Sequence, residues 1–221
     1  MISIAAFASA ADDDLIDADR PGIADGSHVV RPGVFQFELG AQRQRDDGDS
    51  TFFTPTLLRY GVSKGIELRV EGNGYQRTNR QSHWAPASAG FKYHFMDAPS
   101  VGVIGRVFQH GTADLRFAAD MNIGEKWSIN PNAGVVSQKD GSRFTAALAA
   151  LTIQYNFSDR ANAFVDGGYQ SQEQQGSGAS VLLDTGAAWI VGRNTQFDIS
   201  AGWGVRGSTT FFASAGLSHR F

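Results

Sequence analysis

The sequence predicts an all-β protein, a closed antiparallel transmembrane β-barrel of twelve strands with short periplasmic turns and longer extracellular loops. Three observations carry that expectation. Polar and apolar residues alternate with period two from Gly33 to Phe221, the mark of half-buried strands. Five tight-turn signals recur at intervals of about 27–35 residues, as a hairpin repeated around a closed sheet requires. Charges collect on one parity of the strands and avoid the other, the sorting that contact with lipid imposes.

Composition narrows the field. Glycine supplies 26 of 221 residues, and glycine is a poor helix former, which argues against a mostly helical chain. The longest stretch free of Asp, Glu, Lys and Arg runs from Phe144 to Ser158, short of the roughly 18 apolar residues of a membrane-spanning helix. There are no cysteines, hence no disulfide framework and no thiolate metal site. Net charge is −3, with no basic cluster, so no nucleic-acid partner is expected.

The chain opens with the apolar run Met1 to Ala10, and Ala8-Ser9-Ala10 precedes Asp12-Asp13-Asp14. This resembles the tail of a truncated signal peptide. Residues 11–32 show no period and read as an extended or plug-like segment ahead of the barrel, which is assigned residues 33–221.

Twelve strands follow, at about 33–42, 51–60, 65–74, 85–95, 100–109, 112–122, 126–136, 143–156, 161–170, 179–190, 195–205 and 209–221. The strand 195–205 shows the pattern well. Phe197, Ile199, Ala201, Trp203 and Val205 form one face, and Gln196, Asp198, Ser200, Gly202 and Gly204 the other. The segment 100–109 is less regular, because Ile104 and Phe108 share a parity with Arg106. Phe144, Leu148, Leu151 and Tyr155 also fit a helical stripe, but the alternation of Thr152, Gln154 and Asn156 with Leu151, Ile153 and Tyr155 favours a strand.

The tight turns are Gly61 to Lys64, Met96 to Pro99, Ile123 to Lys126, Phe157 to Arg160 and Val191 to Asn194. Between them lie polar connections of variable length, Arg43 to Ser50, Asn73 to Trp84, Ser137 to Ser142 and Gln170 to Gly178. Of these, 43–50, 73–84 and 170–178 are expected to shape the outer mouth. Short turns at one end and longer loops at the other are the habit of outer-membrane barrels.

Alternation alone fits a soluble sandwich as well, with its apolar face turned to a core. The sorting of charge separates the two, since Arg or Lys facing lipid at mid-membrane costs about 2–4 kcal/mol. The charged parity holds Glu38, Arg59, Glu67, Arg69, Glu71, Lys92, Asp114, Arg116, Asp120, Asp166, Asp184, Asp198 and Arg220. All but Glu71 and Asp166 are candidates for lining the lumen. Arg59, Glu67 and Arg69 should neighbour one another across the first tight turn, and Asp184, Asp198 and Arg220 face inward on consecutive strands. Aromatic residues gather at both strand ends, Tyr60, Trp127, Tyr155, Phe157, Trp189, Phe197 and Phe221 near the turns, and Trp84, Tyr169, Trp203 and Phe211 away from them. Such girdles mark membrane interfaces.

Catalytic and metal patterns are absent. His28, His83, His94, His110 and His219 have no close metal spacing, and no G-x-S-x-G elbow or phosphate-binding loop occurs. No cofactor, no metal and no enzymatic activity are expected.

The terminal Phe221 on an alternating strand resembles the assembly signal of bacterial barrels, with His219 as a departure. The chain as a whole resembles a family of bacterial outer-membrane proteins labelled "transporter" or "meta-pathway of phenol degradation". The likeness rests on Asp19-Arg20-Pro21, on Arg31-Pro32-Gly33 leading to Glu38-Leu39-Gly40, and on Leu57 to Arg69. It returns at Phe197 to Gly204 and at Gly216 to Phe221. The resemblance implies a bacterial outer-membrane location, with lipid and the barrel-assembly machinery as partners. It implies a channel or transporter for passive passage or binding of small solutes, aromatic compounds if the label applies. The alternative is a structural or surface-interaction barrel with a plugged lumen, and more remotely an outer-membrane phospholipase-type enzyme. The oligomeric state stays open.

Overall fold

A computed structural model describes residues 15–46, 48–79 and 81–221. The signal-like segment 1–10 lies outside the described residues, as does the start of the following segment to residue 14. The chain from Phe35 on is almost entirely β-strand, and the sheet closes on itself by pairing its first strand with its last.

Fifteen strands make twelve staves. The first stave is β1 (Phe35–Asp46). The second is broken into β2 (Asp49–Phe53) and β3 (Thr56–Ser63), both of which pair with β1. The third comprises β4 (Ile66–Gly72) and β5 (Tyr75–Thr78), the fourth β6 (Gln81–Trp84) and β7 (Ala87–Asp97). The breaks fall at Thr54-Pro55, Asn73-Gly74 and Ala85-Pro86. Proline has no N–H for the ladder, and Gly74 takes a positive φ of 56°, so each stave bends there instead of ending. Eight unbroken staves complete the wall: β8 (Ser100–Phe108), β9 (Ala113–Ile123), β10 (Trp127–Asp140) and β11 (Ser142–Ser158), then β12 (Ala161–Gln170), β13 (Ser180–Val191), β14 (Thr195–Arg206) and β15 (Thr209–Arg220). All neighbours are antiparallel, and closure runs from Gln36 opposite Arg220 to Asp46 opposite Thr209.

The faces are sorted as lipid demands. Leu68, Phe117, Val165, Ile199 and Trp203 are about half exposed, whereas Glu38, Glu67 and Lys92 are fully buried. Apolar surface outside and charge inside is the reverse of a soluble protein, and it excludes the sandwich. Ile104 points inward between Lys92 and Arg116 on the neighbouring strands, so the irregular strand 100–109 keeps the common facing. At the turn end Trp127, Tyr155 and Phe157 stack edge to face, with centroids 4.9 and 5.1 Å apart. Phe221 meets Phe35 at the seam, 6.0 Å away.

Three connections differ from the expected loops. Ser137 to Ser142 is strand almost throughout, turning at Gly141 alone. Asn73 to Trp84 contains β5 and β6, and Arg43 to Ser50 is mostly strand. Above the lipid band both faces of a hairpin meet water, so the alternation fades while the hydrogen-bonded ladder continues, as in Lys139 opposite Arg143. The expected loop 170–178 is a true connection, between Gln170 and Ser180.

Candidate functional site

The inward residues of the barrel converge on residues 15–34, an inner segment without strand pairing except a bridge between Pro32 and Gly61. Apart from backbone bonds at its two ends, Ile16 to Arg193 and Gly33 and Val34 to Gly61, its backbone groups bond to side chains of the wall. Glu38 accepts from the amides of Asp19 and Arg20 at 3.2 and 3.0 Å. Asp166 accepts from the amide of Ile23 at 2.6 Å, and Glu67 from that of Val30 at 2.9 Å. Gln36 and Arg59 both donate to the carbonyl of Asp17 at 2.9 Å. Asn132 donates to the carbonyl of Asp25 and accepts from its amide. These bonds reach five separate parts of the wall, β1, β3–β4, β10, β12 and β14, where Gln196 donates to the carbonyl of Arg20.

Side-chain charge completes the attachment. Asp19 lies 2.7 Å from Arg69 and 2.8 Å from Lys92. Asp25 lies 2.7 Å from Arg106, 3.0 Å from Arg116 and 3.2 Å from Arg69. Arg20 meets Asp198 on β14 at 3.0 Å and the hydroxyl of Ser214 on β15 at 3.0 Å. Adjacent residues of opposite charge, Asp19 and Arg20, thus bind different parts of the wall. Burial alone would raise the pKa of the Asp19 carboxyl, but Arg59, Lys92 and Arg69 outweigh it and hold the group below its ordinary value. Asp25 is held well below by Arg106, Arg116 and Arg69 in the same way, against its burial.

The candidate residues are distributed as follows. Arg59 bonds Glu38 at 3.2 Å and Glu67 at 2.8 Å, and Arg69 lies 3.7 Å from Glu67. Arg59 and Arg69 stand directly opposite each other in register, so Glu67 and the inner segment separate two like charges. Asp114 pairs with Arg106 at 3.1 Å and Arg116 at 2.7 Å. Asp120 accepts from the Ser27 amide at 2.6 Å and lies 3.6 Å from His28. Asp184, Asp198 and Arg220 face inward on the consecutive strands β13, β14 and β15. Asp198 stands opposite Gly216, not Arg220, and takes Arg20 instead, while Arg220 bonds Asn194 at 2.9 Å and the Leu15 carbonyl at 3.1 Å. Asp184 stands opposite Asp166.

Sequence reasoning missed Arg106, whose parity was obscured by Ile104, and the inner residues Asp19, Arg20, Asp25 and Ser27. Small wall residues were the available signal. A Cβ at Gly40 or Gly216, register neighbours, would fall 2.5 Å from the Arg20 side chain. One at Gly61 would fall 2.0 Å from the Arg31 carbonyl. A cavity of about 390 Å³ borders Asp19, Arg20, Asp25, Arg69 and Glu71. A second, of about 160 Å³, borders Ile23, Arg116, Leu148 and Leu182. No cluster of three metal-ligating side chains occurs among the described residues.

Residues 18–221 match the family described as "Putative MetA-pathway of phenol degradation". The chain belongs to this family. Its match begins at the inner segment, one residue before Asp19, and takes in every stave. No curated protein matches by sequence. Among solved structures it is similar to an outer membrane channel from Pseudomonas putida F1, with TM-score 0.66 and 13% identity over 93% of this chain and 100% of the other. The NanC porin gives TM-score 0.65 and 9% identity over 83% and 98%. The CymD monoaromatic hydrocarbon channel gives 0.53 and 10% over 87% and 89%. At these identities the likeness is one of fold. The family member described here is a bacterial outer-membrane β-barrel.

Proposed function

We propose that the protein is an outer-membrane channel for small polar solutes, closed in this structure by residues 15–34 acting as an internal plug. The observation that carries the reading is the way the segment is held. Its bonds are side-chain ion pairs and hydrogen bonds to a polar wall, not a packed apolar core or a continuous ladder. An attachment of that kind keeps the lumen polar and lets the segment leave without unfolding the barrel. Twelve strands lie between the eight of barrels filled by side chains and the sixteen or more of aqueous porins, a size that needs one inserted segment to close it. The similar structures named as channels and porins support the reading. Glu38, Arg59, Glu67, Arg69, Lys92, Asp114, Arg116 and Asp120 would line the path once the plug withdraws, with Asp184, Asp198 and Arg220 on the facing wall. Lipid and the assembly machinery are the proposed partners, with Phe221 as the signal for the latter.

The rival reading is a structural barrel whose plug never moves. Planar-bilayer recording of the full chain separates them. Discrete conductance steps are expected of the channel, and a flat baseline at all voltages supports the rival.

A further inference from the structure

We propose that the basic wall of the lumen is a binding site for organic carboxylates, in which a solute's carboxylate takes the places of Asp19 and Asp25. This deepens the channel reading and rests on it, since it names what the plug competes with.

The charge balance of the wall is the starting point. Arg59, Arg69, Lys92, Arg106 and Arg116 lie on the contiguous strands β3, β4, β7, β8 and β9. The wall's own carboxylates beside them are Glu38, Glu67, Glu71 and Asp114, and these are engaged by the four arginines. Lys92 is fully buried, and Asp19 is the carboxylate that meets it among the described residues. Withdrawing the plug therefore takes from Lys92 its carboxylate partner and turns an unpaired ammonium, amid the arginines, toward the lumen, where a solute anion can replace the first.

The geometry selects the class of anion. Both oxygens of Asp25 lie 2.7 Å from one nitrogen of Arg106, and Asp19 bridges Arg69 and Lys92. A carboxylate has two oxygens to share among several separate charged donors of this kind, which a monatomic anion lacks. The cluster also holds donors to spare, since the Nε atoms of Arg59, Arg69 and Arg116 are buried without an acceptor among the described residues. The cavity of about 390 Å³ reaches Asp19, Asp25 and Arg69, so a small acid can approach the cluster with the plug still seated.

The test is calorimetric titration of the full chain in detergent with succinate, with succinamide and sulfate as controls. Succinate should bind and succinamide should not. The double variant Asp19→Asn/Asp25→Asn removes the internal competitor and should bind succinate at least about a hundredfold more tightly. Adding Lys92→Gln should abolish that gain. If the double variant loses the heat-modifiable migration of a folded barrel, Asp19→Asn alone carries the test, with a gain of at least about tenfold. Equal affinity in wild type and variant overturns the proposal, as does sulfate binding as tight as that of succinate, which would show a general anion site. Succinate binding in a barrel that never conducts would sink the channel reading and leave the site, whereas conductance without succinate binding would sink the site alone.

Discussion

Asp19→Asn is the sharpest perturbation of the plug, because it changes a single inner side chain and leaves the wall intact. In the closed state the Asp19 carboxylate meets Arg69 at 2.7 Å and Lys92 at 2.8 and 2.9 Å, with Arg59 at 3.8 Å. An asparagine keeps one acceptor but no charge, so Lys92 remains buried and uncompensated. Breaking a buried pair by removing one partner costs about 3–5 kcal/mol. In the open state Asp19 has left the wall, so the loss falls on the closed state alone. At about 1.4 kcal/mol per factor of ten, the closed-to-open ratio should fall by roughly 10²–10⁴. The assay is single-channel open probability in planar bilayers at fixed voltage, with folding checked by heat-modifiable migration. An open probability within about threefold of wild type, in a folded variant, would refute the reasoning.

Three further outcomes follow from the same contacts. Ala201→Arg should impair assembly by about 2–4 kcal/mol, because Ala201 shares the lipid-facing parity of Ile199 and Trp203. Ser200→Arg, on the buried parity, should be better tolerated, and equal yields of folded barrel would mean the faces are misassigned. Asp19 and Asp25 have depressed pKa values in the closed state, so their anchoring is complete above the ordinary carboxylate value near about 4 and fades as pH falls through the lower folded values. Asp19 and Asp25 should therefore add no rise in open probability between about pH 7 and 5, and a rise should appear only below about 4; a rise between about 7 and 5 would assign the gating to other groups. Arg59→Ala and Arg69→Ala should each raise open probability, since both hold the plug, and shift reversal potentials toward cations by uncovering Glu67. Unchanged selectivity in a conducting variant would remove this hairpin from the path.

The barrel was legible in the sequence because lipid enforces a strict two-residue period. Where lipid stops, so does the signal. Lys139 and Arg143 face each other across a ladder that their polarity disguised as a loop. The inward parity was legible for the same reason, and Glu38, Arg59, Glu67, Arg69 and Lys92 are all buried. What they bind was not. Partner choice depends on register, and register shifts at bulges such as that between Gly61 and Ser63. The inner segment gave no period because its amides bond to carboxylates of many strands, an arrangement with no repeat. Its trace lay in glycines, since Gly40 and Gly216 leave room for Arg20, and in the opposite charges of Asp19 and Arg20.

The central claim, that conduction requires residues 15–34 to leave the lumen, can be tested by tying them down. The chain has no cysteine, and the hydroxyls of Ser27 on the plug and Ser100 on β8 lie 2.6 Å apart. A Ser27→Cys/Ser100→Cys variant can therefore carry a single disulfide between plug and wall. The decisive measurement is its conductance in planar bilayers before and after reduction. The barrel should be silent when oxidised and show wild-type openings once the bond is reduced. Equal conductance in both states, with the disulfide shown to be formed, would contradict the claim.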